Sequence, residues 1–314
     1  MSFVSKKLEL KDYHILKAYY QSYQSKAHDL NLTNLMVWRK KYDVHYVELD
    51  SYLWIIYHFN DKKNLAFSQP IGDYSNQKAL YNTVEKWIQY CLNHEINLKL
   101  RNIDQLFKTF IENNINDLGF VIKNMDTQDD VSDYCYHSKD LAYLEGKKYH
   151  KKRNHINQFL NHYENNWRVE VLSNLNRLDA KKISRQWCFS HGCESNDSLC
   201  YEYKGIDELL DNWQIFENNG VNGLIAYIDN QPEAFAIGEP LTDNTYVVHF
   251  EKANQNIVGG YAFINQKMAQ YVSDKWEFIN REPDLGILGL RKAKQSYYPA
   301  FLEIKWHVEL EGLK

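Results

Sequence analysis

The order of elements in the second half of this 314-residue chain constrains the fold most. A helix-spaced apolar run at 206–216 is followed by three strand-like segments, at 223–228, 233–238 and 245–250. The glycine pair Gly259-Gly260 then precedes a helical run that starts at Tyr261, and 276–279 is strand-like again. This order predicts a unit in which helices cover a mixed sheet.

A weaker version of the same order occurs in the first half. Segments 44–49 and 52–59 predict a hairpin, and 76–93 predicts an amphipathic helix. The order in the second half matches the core of the N-acetyltransferase-like (GNAT) fold, that of the acyl-CoA N-acyltransferases. We therefore expect an α/β fold with α+β mixed sheets, built as two tandem GNAT-like domains. They would span residues 1–130 and 131–314, and the second would carry the active site.

The charge balance and the cysteine content limit the function class and the cellular compartment that we expect. Lys and Arg total 37 against 41 Asp and Glu, and a net charge of −4 argues against a protein that coats nucleic acid. The chain shows neither a signal peptide nor the ~20 apolar residues of a membrane span. Five cysteines, an odd number, predict unpaired thiols. We expect a cytoplasmic protein that reaches any lipid from the membrane surface.

The glycine turn is the first candidate site. In GNAT enzymes, backbone N–H groups ahead of a helix bind the pyrophosphate of acyl-CoA, which makes Gly259, Gly260 and Tyr261 candidate phosphate-binding residues. The usual pattern is Arg/Gln-x-x-Gly-x-Gly/Ala, whereas the spacing here differs by one residue and lacks the arginine. The alternative is a turn that only caps the helix.

A basic run is the second candidate. It contains five Lys or Arg residues within seven positions, in a chain whose net charge is negative. Phosphate of tRNA, CoA or a lipid headgroup would suit such a run, and a solvated helix face is the alternative. The candidate residues are Lys147, Lys148, Lys151, Lys152, Arg153 and the adjacent Asn154.

Polar residues after the strand at 276–279 form the third candidate. Arg291 and Lys294 share a helix face, and Asp284 would orient either one. Asn280 is a candidate substrate-binding residue at the strand end. The alternative is a structural ion pair.

On the preceding strand, His249 and Glu251 share one face, and either would serve as a general base. The alternative is a buried hydrogen-bonded pair.

A zinc site is the fourth candidate. Cys188, His191, Cys193 and Cys200 are soft ligands, but their spacing matches no common zinc finger, so thiols without zinc are expected and no metal is predicted.

Three segments together resemble a known family. Residues 133–159, 249–265 and 279–306 are similar to the DUF2156 family, which is related to the C-terminal catalytic domain of phosphatidylglycerol lysyltransferases. The resemblance implies two tandem GNAT-like domains, as in the Fem aminoacyl transferases. It also implies transfer of an aminoacyl group from aminoacyl-tRNA to a lipid headgroup hydroxyl. The family pattern Leu-Arg-x-x-Lys, then Pro, is matched by Leu290, Arg291, Lys294 and Pro299.

The hypothesis that follows is aminoacyl transfer from aminoacyl-tRNA to a hydroxyl or amine acceptor, such as a phospholipid headgroup. Arg291 or Lys294 would stabilise the developing oxyanion, with Glu251 and Asp284 as further catalytic residues. One alternative is an acyl-CoA-dependent N-acyltransferase, with a groove between the strands near 250 and 276. Another is a non-catalytic ligand-binding member of the fold. No cofactor is expected beyond aminoacyl-tRNA or acyl-CoA as donor, and the oligomeric state stays open.

Overall fold

The structure is a computed structural model that describes residues 5–58, 65–127, 129–164, 166–192 and 197–313. Its chain divides into two compact units. The first contains Met1–Ser132 and Glu303–Lys314, and the second contains Asp133–Leu302.

The first unit is a mixed sheet with helices. Its strands are β1 (Lys6–Lys7), β2 (Val44–Leu49), β3 (Tyr52–His58), β4 (Leu65–Phe67), β5 (Lys99–Ile103), β6 (Phe120–Thr127) and β14 (Trp306–Gly312). Its α-helices are α1 (Tyr13–Leu16), α2 (Leu32–Trp38), α3 (Gln77–Asn93) and α4 (Gln105–Asn114). Short 3₁₀ helices cover Leu10–Asp12, Lys17–Tyr20, His28–Leu30 and Asp129–Val131.

Among the described residues, the second unit is also a sheet of seven strands with α-helices, of which it has more than the first. Its strands are β7 (Asp133–His137), β8 (Trp167–Val171), β9 (Asn222–Ile228), β10 (Gln231–Pro240), β11 (Thr245–Ala253), β12 (Phe278–Asn280) and β13 (Phe301–Glu303). Its α-helices are α5 (Ser138–Tyr143), α6 (His150–Tyr163), α7 (Arg177–Ser190), α8 (Asp197–Asp211), α9 (Trp213–Glu217), α10 (Gly260–Val272) and α11 (Leu288–Gln295). A 3₁₀ turn at Lys147–Tyr149 leads into α6.

The two sheets have equivalent strand orders. The first runs β1-β2-β3-β4-β5-β14-β6, and the second runs β8-β9-β10-β11-β12-β7-β13. In both, antiparallel strands lead to one parallel pair, β4 with β5 and β11 with β12. The predicted duplication of a GNAT-like unit is confirmed at the level of topology.

Two strands, β7 and β14, occupy equivalent positions in the two sheets but are exchanged relative to their order in the sequence. Strand β7 directly follows the first repeat in sequence but pairs with β12, while β14, at the end of the chain, pairs with β5 and β6. The second unit is therefore not the continuous 131–314 segment expected from the sequence. Residues from Glu303 onward belong to the first unit because β14 completes its sheet.

Aromatic side chains fill the two cores. In the first unit, Trp54 of β3 stacks on Trp87 of α3 with ring centroids 5.2 Å apart. Asn76 caps α3 by accepting from the N–H of Ala79, so the helix starts where the sequence predicts. The predicted hairpin is β2–β3, with position 59 outside the described residues. In the second unit, Phe159 of α6 stacks on Phe263 of α10 at 3.9 Å.

Among the residues that the structure describes, no helix is both long and apolar enough to cross a lipid bilayer.

Candidate active site

The parallel strands β11 and β12 separate soon after they pair. Thr245–Val247 pairs with Phe278–Asn280, and the N–H of Arg281 then donates to the carbonyl of Tyr134 on β7. On the other side of β11, His249 is the extra residue of a β-bulge against β10. Both features direct the chain away from regular pairing, so the strands open where Glu251 and Arg281 lie.

An ion pair bridges this opening. Arg281 Nη2 lies 2.5 Å from Glu251 Oε2, and the two side chains are only 13% and 14% exposed. Asn265 of α10 donates to Glu251 Oε1 at 2.6 Å. Arg281 Nε and Nη1 and Asn265 Oδ1 are buried without a hydrogen-bond partner. Two guanidinium donors and an amide acceptor are therefore available to a ligand.

Aromatic rings and a lysine surround the guanidinium. Arg281 Cζ lies 5.1 Å from the ring centroid of Tyr297 and 5.8 Å from that of Tyr136. Lys152 Nζ, on α6, lies 3.9 Å from the centroid of the Tyr297 ring. Burial raises the pKa of Tyr297 to about 12, so the ring carries a neutral hydroxyl. We call Lys152, Glu251, Asn265, Arg281 and Tyr297 the central cluster.

Burial and charge change the chemistry of the cluster's cations. Burial, and then the charge of Arg281, lower the pKa of Lys152 to about 8. Although burial opposes the charge of Arg281, the carboxylate of Glu251 raises the pKa of the guanidinium. The cluster therefore pairs a permanent cation with an amine that loses its proton close to neutral pH, a combination suited to stabilising an anion and moving a proton.

Lys294 is buried beneath the loop that follows β12. Its ammonium group donates to the carbonyls of Arg281, Glu282 and Pro283, the last two at 2.8 Å. Burial first, and then Arg281, lower the pKa of Lys294 to about 8. With its three donors used, Lys294 holds the loop that carries Arg281, and Tyr136 donates to its carbonyl at 2.9 Å.

Asp284 and Arg291 form a bidentate ion pair. Arg291 Nε and Nη2 lie 2.7 and 2.9 Å from the two carboxylate oxygens, and Asp284 also accepts from Tyr134 and the N–H of Gly286. Hydrogen bonding by Arg291 lowers the pKa of Asp284 well below its usual range. These are the contacts of a structural ion pair, the alternative weighed for this segment. The catalytic roles of Asp284, Arg291 and Lys294 stay predictions.

His249 is clamped between two glutamates. Its Nδ1 lies 2.8 Å from Glu282 Oε1, and its Nε2 lies 3.2 Å from Glu239 Oε1. Burial opposes protonation, but the two carboxylates outweigh it and raise the pKa of His249 to about 9. An imidazolium with both nitrogens engaged suits the buried, hydrogen-bonded alternative better than a general base.

Asn280, the candidate substrate-binding residue at the end of β12, is hydrogen-bonded to other residues of the protein. Buried Asn280 donates to Asp133 Oδ2 at 2.9 Å and accepts from the N–H of Glu282 at 2.7 Å.

The basic run separates into residues with different surroundings. Lys147, Lys148 and Lys151 are exposed, as is Asn154. Arg153 Nη1 donates to the carbonyls of Leu144 and Gly146, which end and follow α5. Lys152 alone among the run joins the central cluster. Phosphate binding by the exposed lysines stays a prediction.

The glycine turn is closely packed against α6. A Cβ at Gly259, where φ is +72°, would lie 2.6 Å from the carbonyl oxygen of His155. The N–H groups of Asn256, Ile257, Val258 and Gly260 already donate within the protein, that of Val258 to the Tyr163 hydroxyl. Tyr261 accepts from Trp187 Nε1 through its own hydroxyl. These contacts favour a structural turn over a pyrophosphate site.

The cysteine residues correct one expectation. Cys188 is disulfide-bonded rather than an unpaired thiol, which removes it as a zinc thiolate, while Cys91, Cys135 and Cys200 are not in disulfides. Cys193 lies outside the described residues. His191 is bonded through Nδ1 to the carbonyl of Trp187.

A separate open depression of about 510 Å³ lies where β7 leads into α5, lined by Ser138, Asp140, Ser273, Trp276 and neighbouring residues. It contains none of the residues singled out from the sequence.

Three members of the central cluster, Asn265, Arg281 and Tyr297, were not assigned a site role from the sequence, although Arg281 and Tyr297 lie in the segments of the third candidate, 280–286 and 297–299. Arg281 is the first residue after β12, a position where site residues often occur, so its place carried a usable signal. Asn265 carried none, because an asparagine within a helix is common in structural roles, and Tyr297 was marked only by its place in the third candidate segment.

Comparison with known proteins agrees with this architecture. Residues 20–308 match the profile of the family described as phosphatidylglycerol lysyltransferase, C-terminal. This match spans most of the chain, and the protein therefore belongs to that family, the one that contains DUF2156 domains.

Solved structures share the fold. A conserved protein of unknown function from Bacteroides thetaiotaomicron is 28% identical, with a TM-score of 0.86, over 98% of this chain and 100% of its own. The C-terminal DUF2156 domain of a protein assigned as a lysylphosphatidylglycerol synthetase, from Agrobacterium fabrum, is 12% identical with a TM-score of 0.65. The match covers 95% of this chain and 91% of that domain. FemX is 9% identical with a TM-score of 0.63, covering 97% and 96%.

Among curated sequences, an uncharacterized protein of Mycoplasmoides gallisepticum is 21% identical over 182 residues. The match spans 57% of this chain and about half (56%) of that relative.

Proposed function

We propose that this protein is an aminoacyl transferase that moves an aminoacyl group from aminoacyl-tRNA to a hydroxyl or amine acceptor, such as a phospholipid headgroup. The observation that carries the proposal is the buried Arg281, whose Nε and Nη1 have no partner in the protein. Family membership supplies the reaction class, since the family is described as phosphatidylglycerol lysyltransferase.

The unpartnered donors suit the charge that develops in acyl transfer. When the acceptor attacks the ester carbonyl, the carbonyl oxygen becomes an oxyanion, and Arg281 Nε and Nη1 would donate to it. Such donors lower the barrier most in a site that excludes water, because the charge is then poorly screened. Glu251 and Asn265 hold the guanidinium in place, so little reorganisation is needed.

Lys152 completes the proton transfers. Its neutral amine would accept the proton of the attacking hydroxyl, and the resulting ammonium would protonate the ribose oxygen as the ester C–O bond breaks. A pKa of about 8 allows both protonation states near neutral pH. Lys294 and the Asp284–Arg291 pair would act as positioning residues for the loop that carries Arg281.

The test uses the full chain with tRNA charged with radiolabelled amino acids and vesicles of phosphatidylglycerol. We expect label to enter the lipid phase with wild-type protein and with Lys78→Met, an exposed lysine of α3, but not with Lys152→Met or Arg281→Met. Label that stays on tRNA in every reaction would contradict the lipid acceptor. Product formed from acetyl-CoA without tRNA would support the acyl-CoA alternative instead.

The exposed lysines of the basic run have a separate test. If they contact tRNA phosphates, replacing Lys147, Lys148 and Lys151 with alanine will weaken tRNA binding and reduce the slope of log K against log salt by about 2 to 3. An unchanged slope would mean that the run is a solvated helix face.

A further inference from the structure

The end of the β2–β3 hairpin in the first unit brings two histidines and an aspartate together. Val44 pairs with Tyr57, so Asp43 and His58 lie at the next opposing position of the hairpin. His45 pairs with Ile56, and His58 lies two residues further along β3, so the two histidines share a face. Asp43 is the residue directly before β2. Asp43, His45 and His58 therefore project from the same side of the hairpin, where they form what we call the hairpin triad.

The triad has the spacing of a metal site. One ligand atom from each residue lies within 4.8 Å of the others, and His45 Nε2 is 3.6 Å from Asp43 Oδ1. Ligand atoms around a tetrahedral ion at ~2.1 Å are ~3.4 Å apart, so small side-chain rotations would complete the geometry. The two imidazole rings are close, with centroids 4.3 Å apart.

Two histidine nitrogens of the triad have no hydrogen-bond partner, which favours a metal ligand role. His58 Nε2 and His45 Nδ1 are buried and have no hydrogen-bond partner. A buried polar atom left unpaired destabilises the fold, and a bound ion would remove that cost at His58. Asp43 is engaged by Lys7, whose Nζ lies 2.6 Å from Oδ1. Because the Lys7 side chain is 58% exposed, it can move into solvent when an ion takes the carboxylate.

We propose that Asp43, His45 and His58 bind a divalent transition-metal ion, with zinc as the best fit. Imidazole and carboxylate are zinc ligands, whereas magnesium and calcium prefer sites made of oxygen atoms alone. Three protein ligands leave a fourth position to water or an exchangeable anion. This site is independent of the proposed transferase chemistry, since its residues belong to the first unit and those of the central cluster to the second.

The experiment is calorimetric titration of the full chain with zinc chloride, together with the absorption spectrum of the cobalt(II) form. We expect one ion per chain and a cobalt spectrum without a thiolate band. His58→Ala, His45→Ala and Asp43→Asn should each weaken binding by about 100-fold or more, because each removes a ligand. The exposed His14 provides the matched control, His14→Ala, which should bind as wild type does.

Lys7→Met separates a metal site from a simple ion-pair cluster. Losing the competing ammonium should leave zinc binding intact or tighten it. Binding by wild type that is unchanged in all three ligand variants would overturn the proposal, as would the absence of binding by wild type. Asp43→Asn keeps the shape of its side chain, so it remains informative if a histidine variant fails to fold.

Discussion

Arg281 Nη2 lies 2.5 Å from Glu251 Oε2 and links the loop after β12 to β11 where the two strands diverge. The pair is almost completely buried, yet two other guanidinium donors remain without partners. The ion pair therefore both stabilises the opening and leaves donors for a ligand, and the two effects can be separated by mutation.

Replacing one partner or both separates these effects. Arg281→Met should lower transfer by about 10²–10³-fold, as loss of an oxyanion donor does. It should also cost about 3–5 kcal/mol of unfolding free energy, because Glu251 is left buried without a cation beside it. Arg281→Met with Glu251→Gln should recover much of the stability but not the activity, as measured by denaturant unfolding and the tRNA assay. Recovered activity in the double variant would remove Arg281 from the mechanism. Arg168→Met, on the exposed β8 surface, is the control.

Lys152 should set the rising limb of the pH–rate profile. Its neutral amine is the active form, and the amine is neutral above its pKa of about 8, so kcat/KM should rise with pH through that value. Lys152→Arg should abolish the limb because arginine stays protonated. Lys151→Arg should leave the limb in place. A profile that is flat from pH 6 to 9 in wild type would argue against proton transfer by Lys152.

Asp284 should make the fold acid-sensitive. Hydrogen bonding by Arg291 lowers its pKa well below the usual range, so its contribution to stability is present above the unfolded-state value of about 4 and is lost as pH falls further. Thermal unfolding of wild type and Asp284→Asn should differ at pH 7, and that difference should shrink below pH 4. The exposed Glu85 of α3 supplies the control variant Glu85→Gln, which should follow wild type throughout.

His249 should show the opposite dependence. Glu239 and Glu282 outweigh burial and raise its pKa to about 9, so the charged-state contribution is complete below the unfolded value of about 6.5 and is lost as pH rises through 9. His249→Gln should be less stable than wild type at pH 6, by a margin that narrows between pH 7 and pH 10. A constant margin across that range would mean that His249 is neutral in the folded protein.

Gly259 is required by the packing of the turn on α6. Gly259→Ala would place a Cβ 2.6 Å from the His155 carbonyl oxygen at a φ of +72°, and we expect a loss of about 1–3 kcal/mol. Gly289→Ala is the matched control: no atom lies within 4 Å of its added Cβ, so unfolding should be unchanged or slightly harder. Equal effects of the two substitutions would show that the close approach is relieved by backbone movement.

Local sequence patterns located several of the elements and their type. Period-two and period-3.6 spacing of apolar residues located the β2–β3 hairpin and helix α3, because burial of one face is encoded by neighbouring residues. The order of elements in the second half, together with three motif-bearing segments, was also enough to identify the tandem fold and the family.

Only the tertiary structure shows which sheet β7 and β14 each join. Each strand has the composition of a strand in either sheet, and its partners lie far away in sequence, so no local pattern distinguishes the two sheets. For the same reason the expected boundary of the second domain missed the return of β14 to the first unit.

For the candidate site, too, the sequence indicated one part and the tertiary structure the other. The sequence by itself determined that cations gather around the start of α6 and after β12, because charge and strand ends are visible in the chain. Only the tertiary structure decided which of those cations hold the loop and which lie together in the central cluster. Lys294 and Arg291 meet carbonyls and a carboxylate, whereas Lys152 and Arg281 converge on one tyrosine ring from segments more than a hundred residues apart. Hydrogen-bond satisfaction depends on such long-range contacts, and a sequence pattern does not contain them.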